Sequence, residues 1–251
     1  MSSCVTVFRE LPEGVLAGFT HRHGGVSTAP YDSLNLAEHV GDLSAHVAQN
    51  RQAFVGALPH APEAVQWLDQ VHGDQVVEVP AGGIVGVPKA DAMFTDQKRC
   101  LLGILTADCV PVVIYASDGS CVAAAHAGWR GLQLGVLAQL VSRIQARTKH
   151  SLQAIIGPCI SAARYEVGED VWAHFVDEYP AAVQPHAEDA QKRELSIANI
   201  AHQQLCRLGV TVDVTQSQCS YSEAHLYSYR RSSHAGEAET GRMATFVMAL
   251  A

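Results

Sequence analysis

Apolar and polar positions along the chain alternate in short blocks, and these predict more strands than helices. Nine runs are dense in Val, Ile, Leu and Ala and are bounded by Gly, Pro, Asp or Ser. They are VLAGFT (15–20), QVVEVP (75–80), DAMFT (91–95), CLLGIL (100–105), VPVVIY (110–115), CVAAAH (121–126), LQAIIG (152–157), VTVDVT (210–215) and ATFVMAL (244–250). Runs of this length and composition read as strands. Helical spacing recurs in four places. After Ser44, the residues Val47, Arg51, Phe54 and Leu58 fall near one face. After Gly131, the residues Leu137, Leu140, Val141 and Ile144 do so. A third set is Trp172, Phe175, Val176 and Tyr179. A fourth is Ile197, Ile200, Ala201 and Leu205, with Gly209 placed to close the helix after Leu208.

Strands interrupted by a few helices, without regular alternation, predict a layered α/β sandwich with mixed sheets. No internal repeat, low-complexity tract or Pro/Gly/Ser-rich linker divides the chain, so residues 1–251 read as one domain. The glycine-rich stretches lack the strand–GxGxxG–helix context of a dinucleotide fold.

Composition narrows the function classes. With 251 residues, 48% hydrophobic and 17% charged, the chain can bury a substantial core and is not disordered. A net charge of −8 without a Lys/Arg cluster argues against nucleic acid as a partner and favours small molecules. The seven cysteines are odd in number and contain no CxxC pair, which fits free thiols in a reducing compartment. The first residues show no charged leader before an apolar stretch, and no run approaches the ~18 apolar residues of a membrane helix. The expectation is a cytoplasmic monomer without a membrane partner.

Three residues of suitable chemistry stand where strands meet loops. His72 lies in QVHG, Cys109 in ADCVP and His126 at the end of CVAAAH, before AGWRG. Two imidazoles and a thiolate suit zinc and leave a position for substrate. Their separations of 37 and 17 residues match no compact zinc signature. Taken singly, each reads as a core or strand-end residue. A metal-free Cys–His nucleophile pair stays open as the next reading. Arginine forks suit phosphate, and the candidates are Arg22 beside His23, Arg51, Arg230, Arg231 and Arg242, accompanied by Asn35. Trp129 and Tyr227 offer flat rings for a base or for packing. Cysteines 4, 100, 121, 159, 206 and 219 are expected to pack as small apolar groups.

The segments GFTHRHGGVS, YDSLNLAEHVGD, NRQAF, DQVHG, ADAMFTD, TADCVPVVIY, AAHAGWRG, IIGPCIS, YEVG, SYRR and TGRMA occur in this order. From about residue 14 to 249 the chain closely resembles the YfiH family, also called the laccase-domain or multicopper polyphenol oxidase family. One departure is His21 before Arg22, where the family carries Thr. The resemblance implies a single layered α/β sandwich related to the catalytic domain of the cytotoxic necrotizing factor toxins. It implies a zinc tripod at His72, Cys109 and His126, with copper as the older attribution.

It also implies phosphorolysis of adenosine, inosine and methylthioadenosine, adenosine deamination, and in some members a role in peptidoglycan fidelity. The expected phosphate contacts are Arg51 with Asn35 and Arg22, and Arg230 is a further substrate contact. Asp108 could orient a proton beside Cys109, although strand alternation would turn it away. Arg130 would serve the metal rim or the fold. Competing classes are a copper-dependent phenol oxidase and a cysteine-dependent hydrolase acting on peptidoglycan precursors.

Overall fold

The computed structural model describes residues 4–250, and its strands form three sheets. In chain order they are β1 (Val5–Val7), β2 (Val15–Thr20), β3 (Ala64–Gln66), β4 (Val76–Glu78), β5 (Ala92–Thr95), β6 (Cys100–Thr106) and β7 (Val110–Ala116). There follow β8 (Val122–Ala127), β9 (Leu152–Ile156), β10 (Glu166–Val167), β11 (Val183–Pro185), β12 (Arg193–Leu195), β13 (Thr211–Asp213) and β14 (Met243–Ala249). The helices are α1 (Ser44–Gly56), α2 (Trp129–Leu134), α3 (Val136–Gln145), α4 (Glu169–Trp172), α5 (Ile197–Arg207) and α6 (Tyr229–His234).

One sheet has the order β1-β2-β14-β6-β3, and a second has β13-β9-β7-β8-β5-β4. Both mix parallel and antiparallel pairs. The two sheets pack face to face. Phe19, Leu102, Ile104 and Val247 from the first meet Val113, Tyr115, Val122, Ala124 and Ile155 from the second. The other face of the second sheet, with Val112, Ile114, Ala123 and Ala125, packs on Leu137, Leu140 and Val141 of α3 and on Ile200 and Leu205 of α5. The outer face of the first sheet, with Leu101, Leu105 and Phe246, packs on Phe54 of α1 and on Leu34 and Leu36. The result is a layered α/β sandwich with mixed sheets, as the strand pattern predicts.

Because both faces of β6, β7, β8 and β14 are covered, each strand is buried along its whole length. That is why they read as near-continuous apolar runs. On β8 the residues facing the helices are Ala123, Ala125 and Ala127, which pack with Leu137, Leu140 and Val141 of α3.

The sequence pattern fails in particular places. The helix expected through Trp172–Tyr179 stops after α4, and turns follow to Pro180, although Phe175 and Tyr179 are still buried. The segment after Gly131 is two helices, broken at Gly135 with φ +87°. Strands β1, β3 and β10–β12 have three residues or fewer and escape a pattern search. Helix α6, sequence YRRSSH, has no apolar stripe. All seven cysteines are free, but Cys206 is exposed rather than packed. Among the described residues no helix is long and apolar enough to cross a membrane.

Gly103 on β6 leaves room for Trp67, whose ring lies against its backbone. A Cβ there would stand 2.9 Å from ring atoms Cε3 and Cη2. Gly103→Ala is expected to lower the unfolding free energy by about 1–3 kcal/mol through overpacking. A urea titration with an unchanged midpoint would contradict this packing.

Candidate metal centre

The register of β7 and β8 brings two distant residues together. Pro111 pairs directly with His126. Positions 111, 113 and 115 of β7 and 122, 124 and 126 of β8 share the face that looks into the gap between the sheets. His126 therefore points into the mouth of that gap. Cys109, two residues before Pro111, falls on the same side, diagonal to His126. His72 arrives from a third place, the turn before β4. One ligand atom from each of His72, Cys109 and His126 lies within 4.8 Å of the others. The His72 and His126 rings meet edge to face at 4.7 Å between centroids.

Gly128 closes the space behind them. A Cβ at this position would lie 3.2 Å from Cys109 Sγ and 3.2 Å from His72 Cδ2.

The turn that carries His72 is held from two sides. The Gln70 side-chain amide donates to the Leu105 carbonyl and accepts from the Leu105 N–H, both at 2.8 Å, and so fixes the turn against β6. Asp91, immediately before β5, is fully buried. Its carboxylate accepts the backbone N–H groups of Val71 (3.2 Å), His72 (2.9 Å) and Gly73 (2.6 Å). Successive N–H groups converge in this way because His72 adopts φ +58°, which curls the backbone into an anion-binding nest. The same carboxylate lies 2.8 Å from His126 Nδ1. Burial alone would raise the Asp91 pKa, but these donors outweigh it and hold the carboxyl below its usual value.

Without metal, Cys109 and His126 shift each other in opposite directions. Burial raises the Cys109 thiol, yet the charge and hydrogen bonds of His126 and His72 pull it down to about 6. Burial opposes protonation of His126, but the Cys109 charge and the Asp91 bond push it up to about 9. At neutral pH, Cys109 is thus a thiolate beside an imidazolium. A soft thiolate with two imidazoles, one already oriented by a carboxylate, fits a metal ion.

The trio lines a cleft of about 390 Å³, a size typical of small-molecule sites. Its other walls include Trp129, Tyr165, Tyr229, Arg230, Arg242 and His39. Of the predicted substrate contacts, Arg230 reaches this cleft. The others do not line it, and each is engaged elsewhere. Asn35 is fully buried and spends its amide on Ala37, Asp42 and the Arg242 N–H. Arg51 pairs with Glu38 at 2.9 Å and lies over Trp67. Arg22 pairs with Asp32 at 3.1 Å and lies over Tyr227.

Tyr227 is buried and donates to the Tyr31 carbonyl, so it belongs to the core, whereas Trp129 stays on the cleft. Asp108 turns its carboxylate to the Ser220 hydroxyl (2.6 Å) and the Arg230 N–H (2.7 Å), at φ +106°. It therefore orders the rim and is not free to carry a proton for Cys109. Arg130 lies over Trp129. Asp91 and His39 were not legible as site residues. The one hint for Asp91 is a carboxylate opening an otherwise apolar strand.

The family model described as multi-copper polyphenol oxidoreductase laccase matches residues 16–250. The chain belongs to this family. A purine nucleoside phosphorylase YfiH from Escherichia coli (strain K12) is 38% identical over 94% of this chain and 94% of its own length. A purine nucleoside phosphorylase from Pseudomonas aeruginosa is 38% identical over 98% of both chains. Among solved structures, Neisseria meningitidis protein NMB0706 superposes with a TM-score of 0.86 at 34% identity, covering 99% of this chain and 100% of its own. Bacillus licheniformis hypothetical protein YfiH gives a TM-score of 0.88 at 28% identity, covering 100% and 97%.

The ionisation state of the trio can be read directly. In metal-free protein, the thiolate absorbance of Cys109 is expected to rise with pH through a midpoint near 6 instead of the ordinary 9.0. Replacing His126 by Ala should move that midpoint upward, because the charge favouring the thiolate is gone. A wild-type midpoint at the ordinary thiol value would refute the ion pair.

Proposed function

We propose that the protein is a metal-dependent purine nucleoside phosphorylase that splits adenosine, inosine and methylthioadenosine with phosphate. The observation that carries this reading is the juxtaposition, in one cleft, of the His72–Cys109–His126 trio, two arginines and three aromatic rings. The names of the relatives agree with it.

In phosphorolysis a phosphate oxygen forms a bond to ribose C1′ while the bond from C1′ to the base breaks. The base leaves with the electron pair and takes up a proton. Arg230 and Arg242 are the cations on the cleft, and we assign phosphate binding to them in place of Arg51, Asn35 and Arg22. Arg242 lines the cleft with the trio, its guanidinium donating to the Thr240 (2.7 Å) and Gly241 (3.2 Å) carbonyls. Arg230 is steadied by Glu166 at 2.7 Å and by the Tyr165 ring beneath it. Tyr229 supplies a face on which a purine stacks, and the Trp129 ring, already against Arg130 and His174, borders the cleft. The Tyr165 phenol is pushed up by burial and by the Cys109 charge, so it stays a hydroxyl and can donate to the substrate. A zinc ion held by His72, Cys109 and His126 would supply positive charge that stabilises negative charge developing in the transition state.

Adenosine deamination belongs to the same cleft as a second reaction. A multicopper oxidase needs ligands for several coppers. Among the described residues, the trio is the one group of three or more His, Cys, Asp or Glu donors so arranged. Copper at this N/S site would bind more tightly than zinc, so phenol oxidation is assigned to copper-loaded protein. The thiolate–imidazolium pair favours one other reading, hydrolysis with Cys109 as nucleophile. Activity that survives chelation but not alkylation would select it.

The test is incubation with adenosine or inosine, with and without phosphate, beside His126→Ala. Phosphate-dependent release of base and ribose 1-phosphate, lost in the variant, is expected. Inosine formed from adenosine without phosphate reports the deaminase branch. Arg242→Met should raise the phosphate KM by roughly 10–150-fold, equivalent to the ~1.5–3 kcal/mol of a charged hydrogen bond. Absence of turnover by folded, metal-loaded protein would refute the nucleoside reading.

A further inference from the structure

Asp91 touches two of the three trio residues, and it reaches them by different means. It grips His126 by the ring and His72 by the backbone. Both carboxylate oxygens are used. Oδ1 accepts from His126 Nδ1 and the His72 N–H, and Oδ2 accepts from the Val71 and Gly73 N–H groups. The backbone carbonyl of Asp91 also accepts the His126 N–H at 2.7 Å. Among the described residues, Asp91 alone accepts from both the backbone of the His72 turn and the His126 ring, and it does not itself line the cleft.

We propose that Asp91 is the positioning residue of the metal centre, fixing the Nδ1–H form of His126 and the left-handed turn of His72 as one unit. The proposal rests on the reading of the trio as a metal site. A ring that gives Nδ1–H to a carboxylate presents Nε2 to the metal, so the tautomer and the aim of the ring are set together. The turn at His72 needs the same carboxylate, because three converging N–H groups would otherwise face one another without an acceptor. Asp91 thereby makes two ligands that are distant in sequence depend on one side chain.

Asparagine at position 91 separates this role from simple packing. It keeps the size and shape of aspartate but has one acceptor oxygen and one NH₂ group. Either the NH₂ faces His126, which favours the wrong tautomer, or it faces the N–H groups of Val71 and Gly73. Each orientation sets donor against donor.

Zinc affinity is measured by competition with a chromogenic chelator for wild type, Asp91→Asn, His72→Ala and the double variant. Nitrogen NMR of the imidazole rings in zinc-loaded wild type is recorded beside it. We expect Asp91→Asn to bind zinc roughly 10–100-fold more weakly. The His72→Ala loss should be smaller in the Asp91→Asn background than in wild type, because the turn is already released. The NMR should show His126 bound through Nε2 with Nδ1 protonated, a signature that a merely structural role would not fix.

An affinity of Asp91→Asn equal to wild type overturns the proposal. So does His126 bound through Nδ1, a result read in wild type whether or not the variant folds. A wild type that takes up no zinc removes the metal reading itself, and with it this inference.

Discussion

The antiparallel pairing of β7 with β8, with Pro111 opposite His126, is the constraint on which the rest of the site depends. Side chains on a strand alternate with a period of two. A slip of one residue would turn His126 from the gap between the sheets into the helix layer. That slip is prevented by burial on both faces. Val112 and Ile114 must meet α3 and α5, while Val113 and Tyr115 must meet the opposite sheet. The packing that stabilises the sandwich thus also sets the position of the thiolate and the imidazole. The candidate metal centre is an extension of the core's register beyond the last buried apolar pair.

Charge is brought into this apolar surrounding only with compensation. The buried Asp91 carboxylate accepts four hydrogen bonds. The Cys109 thiolate faces His126, whose other nitrogen faces Asp91. An isolated ion in such a place would cost several kcal/mol, and a chain of alternating sign avoids most of that penalty. Removing any one member takes away part of its neighbour's compensation, so the three groups are coupled. Gly128 has a related part: it stands where the trio needs space, and a side chain larger than hydrogen would press on two of its members.

Much of the fold was legible because the long strands carry uninterrupted apolar runs. The strands from 15 to 20, 100 to 106, 110 to 116 and 122 to 127 lie where the pattern puts them. The short strands β1, β3 and β10–β12 were not legible, since three residues or fewer leave no period to detect, whereas β4 and β13, equally short, lie inside longer apolar runs. Helix α6 was hidden because its polar sequence answers to a cap at Ser228 and to bonds from Arg231 to loop carbonyls, not to a stripe. His72, Cys109 and His126 stood out by residue type at strand ends, and the resemblance joined them. Their mutual distance is a property of tertiary register that spacing could not reveal. Arginines were the least legible. Arg22, Arg51 and Arg230 look alike in sequence and each is held by a carboxylate; what separates them is position, since Arg230 pairs with Glu166 and still lines the cleft. Arg22 is held by Asp32 and Arg51 by Glu38, each away from the cleft.

The central claim is that three residues from separate parts of the chain form one metal site. X-ray absorption fine structure of the zinc-loaded protein tests it most directly. The account predicts one sulfur at about 2.3 Å and two imidazole nitrogens at about 2.0–2.1 Å, with the sulfur lost in Cys109→Ser. A wild-type spectrum with only nitrogen and oxygen neighbours would contradict it.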